Sequence, residues 1–325
     1  MGSELGVRAA VHIKKEPVIK QEPVIKQERS VPNCGNAAVR IKQEPSVSNE
    51  HPAAAPIQQN RGIKRERIAS PKTEESSNKK QKISVGNKHT TYEGEISDGK
   101  YHGQGKLETP NYTYEGRFLN GLRNGKGKLD YQSHPRFRSY EGDFLNNRFH
   151  GVGTLTWKSG KKLTGQFRDG NINGKGKFVH ANGNEFEGDF LAGKFLGNGI
   201  HSWKNGDKYE GQFLNGRMNG KGTYNFQDHK HFRSYEGDFL NNFFHGLGTL
   251  IYKDGAKYSG NWKDGKHHGK GKIVWPSGSS YEGEYKHGKA NGHGKRFWNS
   301  HQDFLSYEGN YLNDDFHGFG TMTYV

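Results

Sequence analysis

One phrase, Tyr-Glu-Gly-x-Phe followed by Gly-x-Gly-x-Leu, returns ten times between Tyr92 and Val325 and leaves few folds open. Its first positions are Tyr92, Tyr114, Tyr140, Leu163, Phe186, Tyr209, Tyr235, Tyr258, Tyr281 and Tyr307, spaced by 22, 23 or 26 residues. A short fixed period means stacked supersecondary units, none of which can bury its apolar face alone. Glycine stands at repeat positions 3, 12 and 14 of every copy, as in Gly142, Gly151 and Gly153.

Inside a copy the apolar period is two. Tyr140, Gly142 and Phe144 share one face of a strand, and Gly151, Gly153 and Leu155 share one face of the next. Glycine weakens a strand unless something must approach closely, so the glycines are expected to make room for a neighbouring ring. Asn120-Gly121, Asp169-Gly170, Asn215-Gly216 and Asp264-Gly265 fall between the strands. These pairs supply the positive φ angles of tight hairpin turns. The prediction is an all-β chain: an elongated single antiparallel sheet of ten stacked hairpins over 89–325, preceded by a disordered tail over 1–88.

These residues resemble the MORN repeat (membrane occupation and recognition nexus), and the resemblance covers Tyr92 to Val325. It implies elongated sheets of stacked hairpins that serve as scaffolds or targeting modules in cytoskeletal, membrane-junction and ciliary proteins. In some relatives the repeats precede a catalytic domain. None is expected here, because repeats occupy the sequence from Tyr92 to Val325. The tenth copy has no polar cap, which suggests end-to-end self-association, with simple fraying as the alternative.

Three copies, starting at Tyr140, Tyr235 and Tyr307, carry preceding insertions that contain Phe137, Phe232 and Phe304. In each, the turn glycine becomes Asn147, Asn242 or Asp314. Position 10 becomes Phe149, Phe244 or Phe316, and position 13 becomes Val152, Leu247 or Phe319. Positions 10 and 13 are read as lying away from the ring face. They would then form spaced docking points for a partner, unless the inserted phenylalanines fold back over them.

Charge and composition narrow the function. Net charge is +15, and 17 Lys/Arg against 9 Asp/Glu in residues 1–88 make the tail the denser basic part. The array is nearly balanced, which disfavours nucleic acid. One cysteine, Cys34, allows no disulfide framework. No signal peptide and no apolar run long enough for a membrane span are found. Histidines at position 11 (His102, His150, His245, His268, His317) alternate with Asn and are read as turn builders rather than metal ligands. No catalytic triad or phosphate loop stands apart from the repeat, so neither enzyme activity nor a cofactor or metal is expected. The glutamates at position 2, such as Glu141 and Glu236, are expected to pair with Lys126, Lys175, Lys221 and Lys270.

The tail has its own pattern, Ile-Lys-x-Glu, centred on Lys14, Lys20, Lys26, Lys42 and Lys64. It resembles the acceptor consensus for SUMO conjugation, in which an aliphatic and an acidic residue flank an exposed lysine. Lys64, Arg65 and Arg67, then Lys79, Lys80 and Lys82, resemble a bipartite nuclear localisation signal, with Ser70-Pro71 as a phosphorylation candidate between them. Taken together, the expectation is a nuclear, SUMO-modified protein-interaction scaffold served by an import receptor and the SUMO machinery. The alternatives are a membrane or cytoskeletal adaptor meeting anionic lipid, and an accessory subunit of an enzyme supplied in trans.

Overall fold

The structure, a computed structural model, describes residues 8–12, 81–84 and 89–325. The chain divides into two compact units, Pro45–Lys204 and Met1–Glu44 with Asn205–Val325. Strands are numbered in chain order, and all described pairings are antiparallel. The segment Arg8–His12 is β1 and belongs with the Asn205–Val325 unit.

The Pro45–Lys204 unit opens with β2 (Gln81–Ser84) and continues as five hairpins. These are β3 (Thr91–Ser97) with β4 (Lys100–Glu108), β5 (Tyr112–Leu119) with β6 (Leu122–Tyr131), β7 (Phe137–Leu145) with β8 (Arg148–Trp157), β9 (Lys162–Arg168) with β10 (Asn171–Val179), and β11 (Glu185–Leu191) with β12 (Lys194–Ser202). The other unit holds β13 (Lys208–Leu214) with β14 (Arg217–Asn225), β15 (Phe232–Leu240) with β16 (Phe243–Tyr252), β17 (Lys257–Lys263) with β18 (Lys266–Val274), β19 (Ser280–Lys286) with β20 (Lys289–Phe297), and β21 (Phe304–Leu312) with β22 (Asp315–Tyr324). No helix occurs among the described residues, and the all-β antiparallel expectation holds in each unit.

The hairpin turns follow from positive φ at positions 7 and 8, as at Asn120 (51°) and Gly121 (82°). A second irregularity lies at glycine 12. The pairing of β7 with β8 runs Gly142 to Gly153, then shifts so that Asp143 faces His150. Gly151, with φ of 54°, and Val152 form the resulting bulge.

The ring at position 1 fixes the glycines. Tyr140 lies along its own strand, and its Oη donates to the Asp143 carbonyl at 3.1 Å. A Cβ on Gly153 would overlap that ring, and one on Gly142 would meet the Gly153 backbone. The glycines thus seat the tyrosine of the same hairpin, rather than a ring from a neighbour. Neighbours join through the column above it. Phe149 stacks on Tyr140 at 3.8 Å, and Phe167 of the following copy meets Tyr140 edge-on at 5.2 Å. Tyr235, Phe244 and Trp262 repeat this arrangement in the other unit.

Two parts of the 1–88 segment form strands. β2 pairs with β3, and β1 pairs with β22. The outer edge of the tenth copy is therefore covered in the structure, which corrects the expectation of an uncapped last repeat. The remainder of the expected disordered tail lies outside the described residues.

Candidate docking face

Positions 10 and 13, which the repeat pattern groups together, take opposite faces in the structure. Position 10 belongs to the ring face: Phe149 and Phe244 are buried, and Phe316 stacks on Tyr307 at 4.0 Å. Cross-strand register explains this, since Phe149 faces Phe144 and Phe244 faces Phe239, both of them core rings. Position 13 sits in the bulge and points to the opposite face. Val152 is 60% exposed, Leu247 59% and Phe319 67%.

The inserted phenylalanines do not cover these residues. Phe137 packs 4.6 Å from His134 and 5.6 Å from Trp157, and Phe232 lies 4.2 Å from His229 and 5.7 Å from Tyr252. Each insertion is pinned by its histidine: His134 Nδ1 accepts from the Arg136 and Phe137 amides, and His229 Nδ1 from those of His231 and Phe232. Burial holds the pKa of both imidazoles below the ordinary value.

The exposed face is otherwise a ladder of charges. At the junction between copies, position 13 faces position 4 of the next copy, and position 15 faces position 2. Lys126, Lys175 and Lys221 thus meet Asp143, Asp189 and Asp238 at 3.7, 2.8 and 2.7 Å. This corrects the expected pairing of these lysines with position-2 glutamates. Glu282 and Glu308 instead take Lys272 and Lys295, at 2.9 and 3.0 Å. The junction register is continuous, so position 13, two residues before position 15 on the same strand, meets position 4 and not position 2.

Two junctions break the ladder. Between β8 and β9, Val152 faces Gln166, and Thr154 faces Thr164 with hydroxyls 2.9 Å apart. Between β16 and β17, Leu247 faces Asn261, and Thr249 faces Ser259, again at 2.9 Å. The paired hydroxyls satisfy each other, so each junction sets an aliphatic side chain among uncharged cross-strand partners. From the hairpin side, the Asp143 and Asp238 carboxylates accept the Val152 and Leu247 amides at 3.2 and 2.9 Å. Within each unit the other hairpin junctions carry at least one charged residue at these rungs.

The turn residues of the three unusual copies have a structural use that sequence does not reveal. The Asn147 amide donates to the Arg123 carbonyl, and Asn147 Oδ1 accepts from the Arg123 amide at 2.9 Å. Asn242 does the same with Met218 at 2.8 Å, and Asp314 with Ala290 at 2.7 Å. Each clamps its hairpin to the preceding one. Arg123 is itself buried, with its guanidinium 5.5 to 5.8 Å from the ring centres of Tyr112, Tyr114 and Phe144, and desolvation lowers its pKa.

The position-11 histidines lie in extended strands, not in turns; the left-handed backbone nearest them falls at positions 7 and 8 and at glycine 12. Among the described residues, no group of three or more His, Cys, Asp or Glu is arranged to hold a metal. Lys82 lies exposed on β2, whereas Lys14, Lys20, Lys26, Lys42, Lys64, Arg65, Arg67, Lys79 and Lys80 fall outside the described residues.

A family model, that of the MORN repeat, matches residues 92–113, 114–135, 140–162, 164–185, 186–208, 209–230, 235–257, 258–280, 281–302 and 307–325. No curated protein matches the chain significantly. Among solved structures, the chain is similar to the TCP domain of SAS-4 (dCPAP) of Drosophila melanogaster, solved with a proline-rich motif of Ana2 (dSTIL). Identity is 13%, coverage is 66% of this chain and 95% of that one, and the TM-score of 0.28 is too low to carry an inference.

Proposed function

Because the chain belongs to the MORN repeat family, we propose that it is a non-catalytic protein-interaction scaffold whose partner contacts centre on Val152, Leu247 and Phe319. The observation that carries this reading is the pair of uncharged junctions, each topped by a solvent-facing aliphatic residue. A solvated structural face would continue the Lys–Asp ladder there; an apolar break in a charged surface marks a contact site. Other copies supply the control substitution, since Lys126, Lys175, Lys221 and Lys270 occupy position 13 elsewhere. Replacing Val152, Leu247 and Phe319 by Lys should leave the circular dichroism melt unchanged. It should remove a defined set of proteins from a quantitative affinity purification. An unchanged set would defeat the reading.

The tail motifs support a nuclear, SUMO-modified setting for this scaffold. Changing Lys79, Lys80 and Lys82 to Ala should shift the full-length protein out of the nucleus. Changing Lys14, Lys20, Lys26, Lys42 and Lys64 to Arg should abolish heavier conjugates on a denaturing gel. Partners in this reading are an import receptor, the SUMO machinery and proteins that dock on the array, including an enzyme supplied in trans.

One observation favours the membrane alternative. Exposed leucines stand beside the hairpin turns, Leu119, Leu145 and Leu191 in one unit and Leu214, Leu240 and Leu312 in the other. Co-sedimentation with phosphatidylserine vesicles, compared with neutral vesicles, tests it. Binding that Leu-to-Ser changes abolish would favour the adaptor over the nuclear scaffold.

A further inference from the structure

The first and last strands of the ten copies are each paired by a short tail strand, and both pairings follow the register that joins one repeat to the next. A normal junction aligns Gly105 with Gly116, Lys106 with Glu115 and Leu107 with Tyr114. On β3, the tail strand β2 aligns Gln81 with Gly94, Lys82 with Glu93 and Ile83 with Tyr92. It stands where the second strand of a preceding hairpin would stand, with Lys and an aliphatic residue at the matching places. On β22, the tail strand β1 aligns Val11 with Gly320, Ala10 with Thr321 and Ala9 with Met322. It stands where the first strand of a following hairpin would stand.

The two covered edges are complementary to each other. β3 is a first strand of the repeat and β22 a second strand. Set side by side from two molecules in the same register, they would align Gly320 with Gly94, Thr321 with Glu93 and Met322 with Tyr92. The array already contains a junction of this kind, in which Gly222, Thr223 and Tyr224 face Gly237, Glu236 and Tyr235. An exposed strand edge is a template for another chain, and proteins cover it to prevent such pairing. A contact between two different edges is heterologous and leaves one of each edge free to recruit a further copy, giving open chains or closed rings.

We propose that β1 and β2 are edge guards, and that their release opens a surface for head-to-tail association with a second copy of this chain through β22 and β3. The guards are weaker than the strand they replace. β2 contributes four rungs and β1 five, against six where β6 meets β7. Neither guard contains Phe, Tyr, Trp or Gly. Their advantage is the tether, which gives a linked strand an effective concentration on the order of mM. Proteins below that concentration stay apart while the guards hold.

The test uses the full-length chain. Val11→Pro and Ile83→Pro remove ladder amides from the two guards, since proline has no N–H to donate. Thr91→Cys and Thr323→Cys, in a Cys34→Ser background, report the register. Thr113 faces Glu108 and Ser139 faces Asp130 at normal junctions, so Thr91 of one copy would face Thr323 of the next. Antiparallel neighbours lie about 4.5–5.5 Å apart at Cα, within the span of a disulfide. Sedimentation velocity across a dilution series should give a concentration-independent monomer for the guarded chain. The double proline variant should grow with concentration and form an oxidised ladder of 91–323 linked species. A double proline variant that keeps its β-sheet spectrum and stays monomeric overturns the proposal. So do oligomers that fail to cross-link through 91 and 323, or a guarded chain that assembles as readily as the variant.

Discussion

Gly153 and Gly160 differ in what surrounds them, and the difference predicts two stabilities. Gly153 has no left-handed backbone, but a Cβ there would overlap the Tyr140 ring. Gly160 has φ of 89° and open space around it. Gly153→Ala should therefore lower stability by about 3 kcal/mol through overpacking. Gly160→Ala should cost only about 1–2 kcal/mol, from backbone conformation. Urea denaturation of the two variants separates them. The need for glycine was legible in the sequence, because an unbroken column of glycines faces a ring at position 1 in nine of the ten copies and so requires a close approach. The owner of the ring was not legible. Period two tells which face a side chain takes, but not that Tyr140 lies down along its own strand to reach the Asp143 carbonyl.

His267 makes a pH-dependent prediction. It is buried, stacked on Tyr258 at 3.6 Å and edge-on to Trp262 at 4.5 Å. Desolvation pushes its pKa down to about 3. Burial also raises Tyr258 and Tyr285 beside it, so neither supplies a negative charge near neutral pH. The imidazole is neutral in the fold, whereas in the unfolded chain it binds a proton below about pH 6.5. Its contribution is complete above that pH and is lost as pH falls toward the folded value. Between pH 6.5 and 4.5 the wild type should lose about 2–3 kcal/mol more than His267→Phe. Chemical denaturation at both pH values measures it, and parallel losses would contradict it.

At the scale of the hairpin, the clamp made by Asn147, Asn242 and Asp314 sets a graded series. Asn242 has φ of 71° and accepts the Met218 amide within the core. Asn242→Gly keeps the left-handed turn and loses the hydrogen bond, which should cost about 1 kcal/mol. Asn242→Ala loses the bond and strains the turn, which should add about 1–2 kcal/mol. Equal losses, measured by urea denaturation, would mean that the turn contributes nothing beyond the clamp. Sequence shows that three turns lack glycine, but the partner of each clamp lies 24 residues earlier, beyond any local pattern. Position 10 was legible by contrast. Phe149 and Val152 look alike as apolar departures from the repeat, but they stand three residues apart on β8, so alternation puts one on the ring face and the other outside. The partners of the lysine ladder were not legible, because the register between copies, which sets position 13 against position 4, is a property of the junction and not of one copy's sequence.

At the scale of each unit, stability has no single centre. Successive hairpins touch through the ring column and junction ladders, so a defect is felt first by its neighbours. The end strands were the least legible feature. β2 carries Gln where a repeat has glycine, and β1 pairs with residues 319–323 from positions 8–12, a separation that no periodicity reports. Junctions supply most of what holds a hairpin, since an isolated two-stranded ribbon is marginal in water. Gly153→Ala within β8 should therefore spread its effect along the unit by distance. Hydrogen exchange followed by mass spectrometry should show the largest loss of protection in β7 and β8, a smaller one in β6 and β9, and little change in β3 and β4. Uniform loss from β3 to β12 would instead mean that the unit opens as one cooperative body, with the ring column coupling its five hairpins more strongly than nearest-neighbour contacts allow.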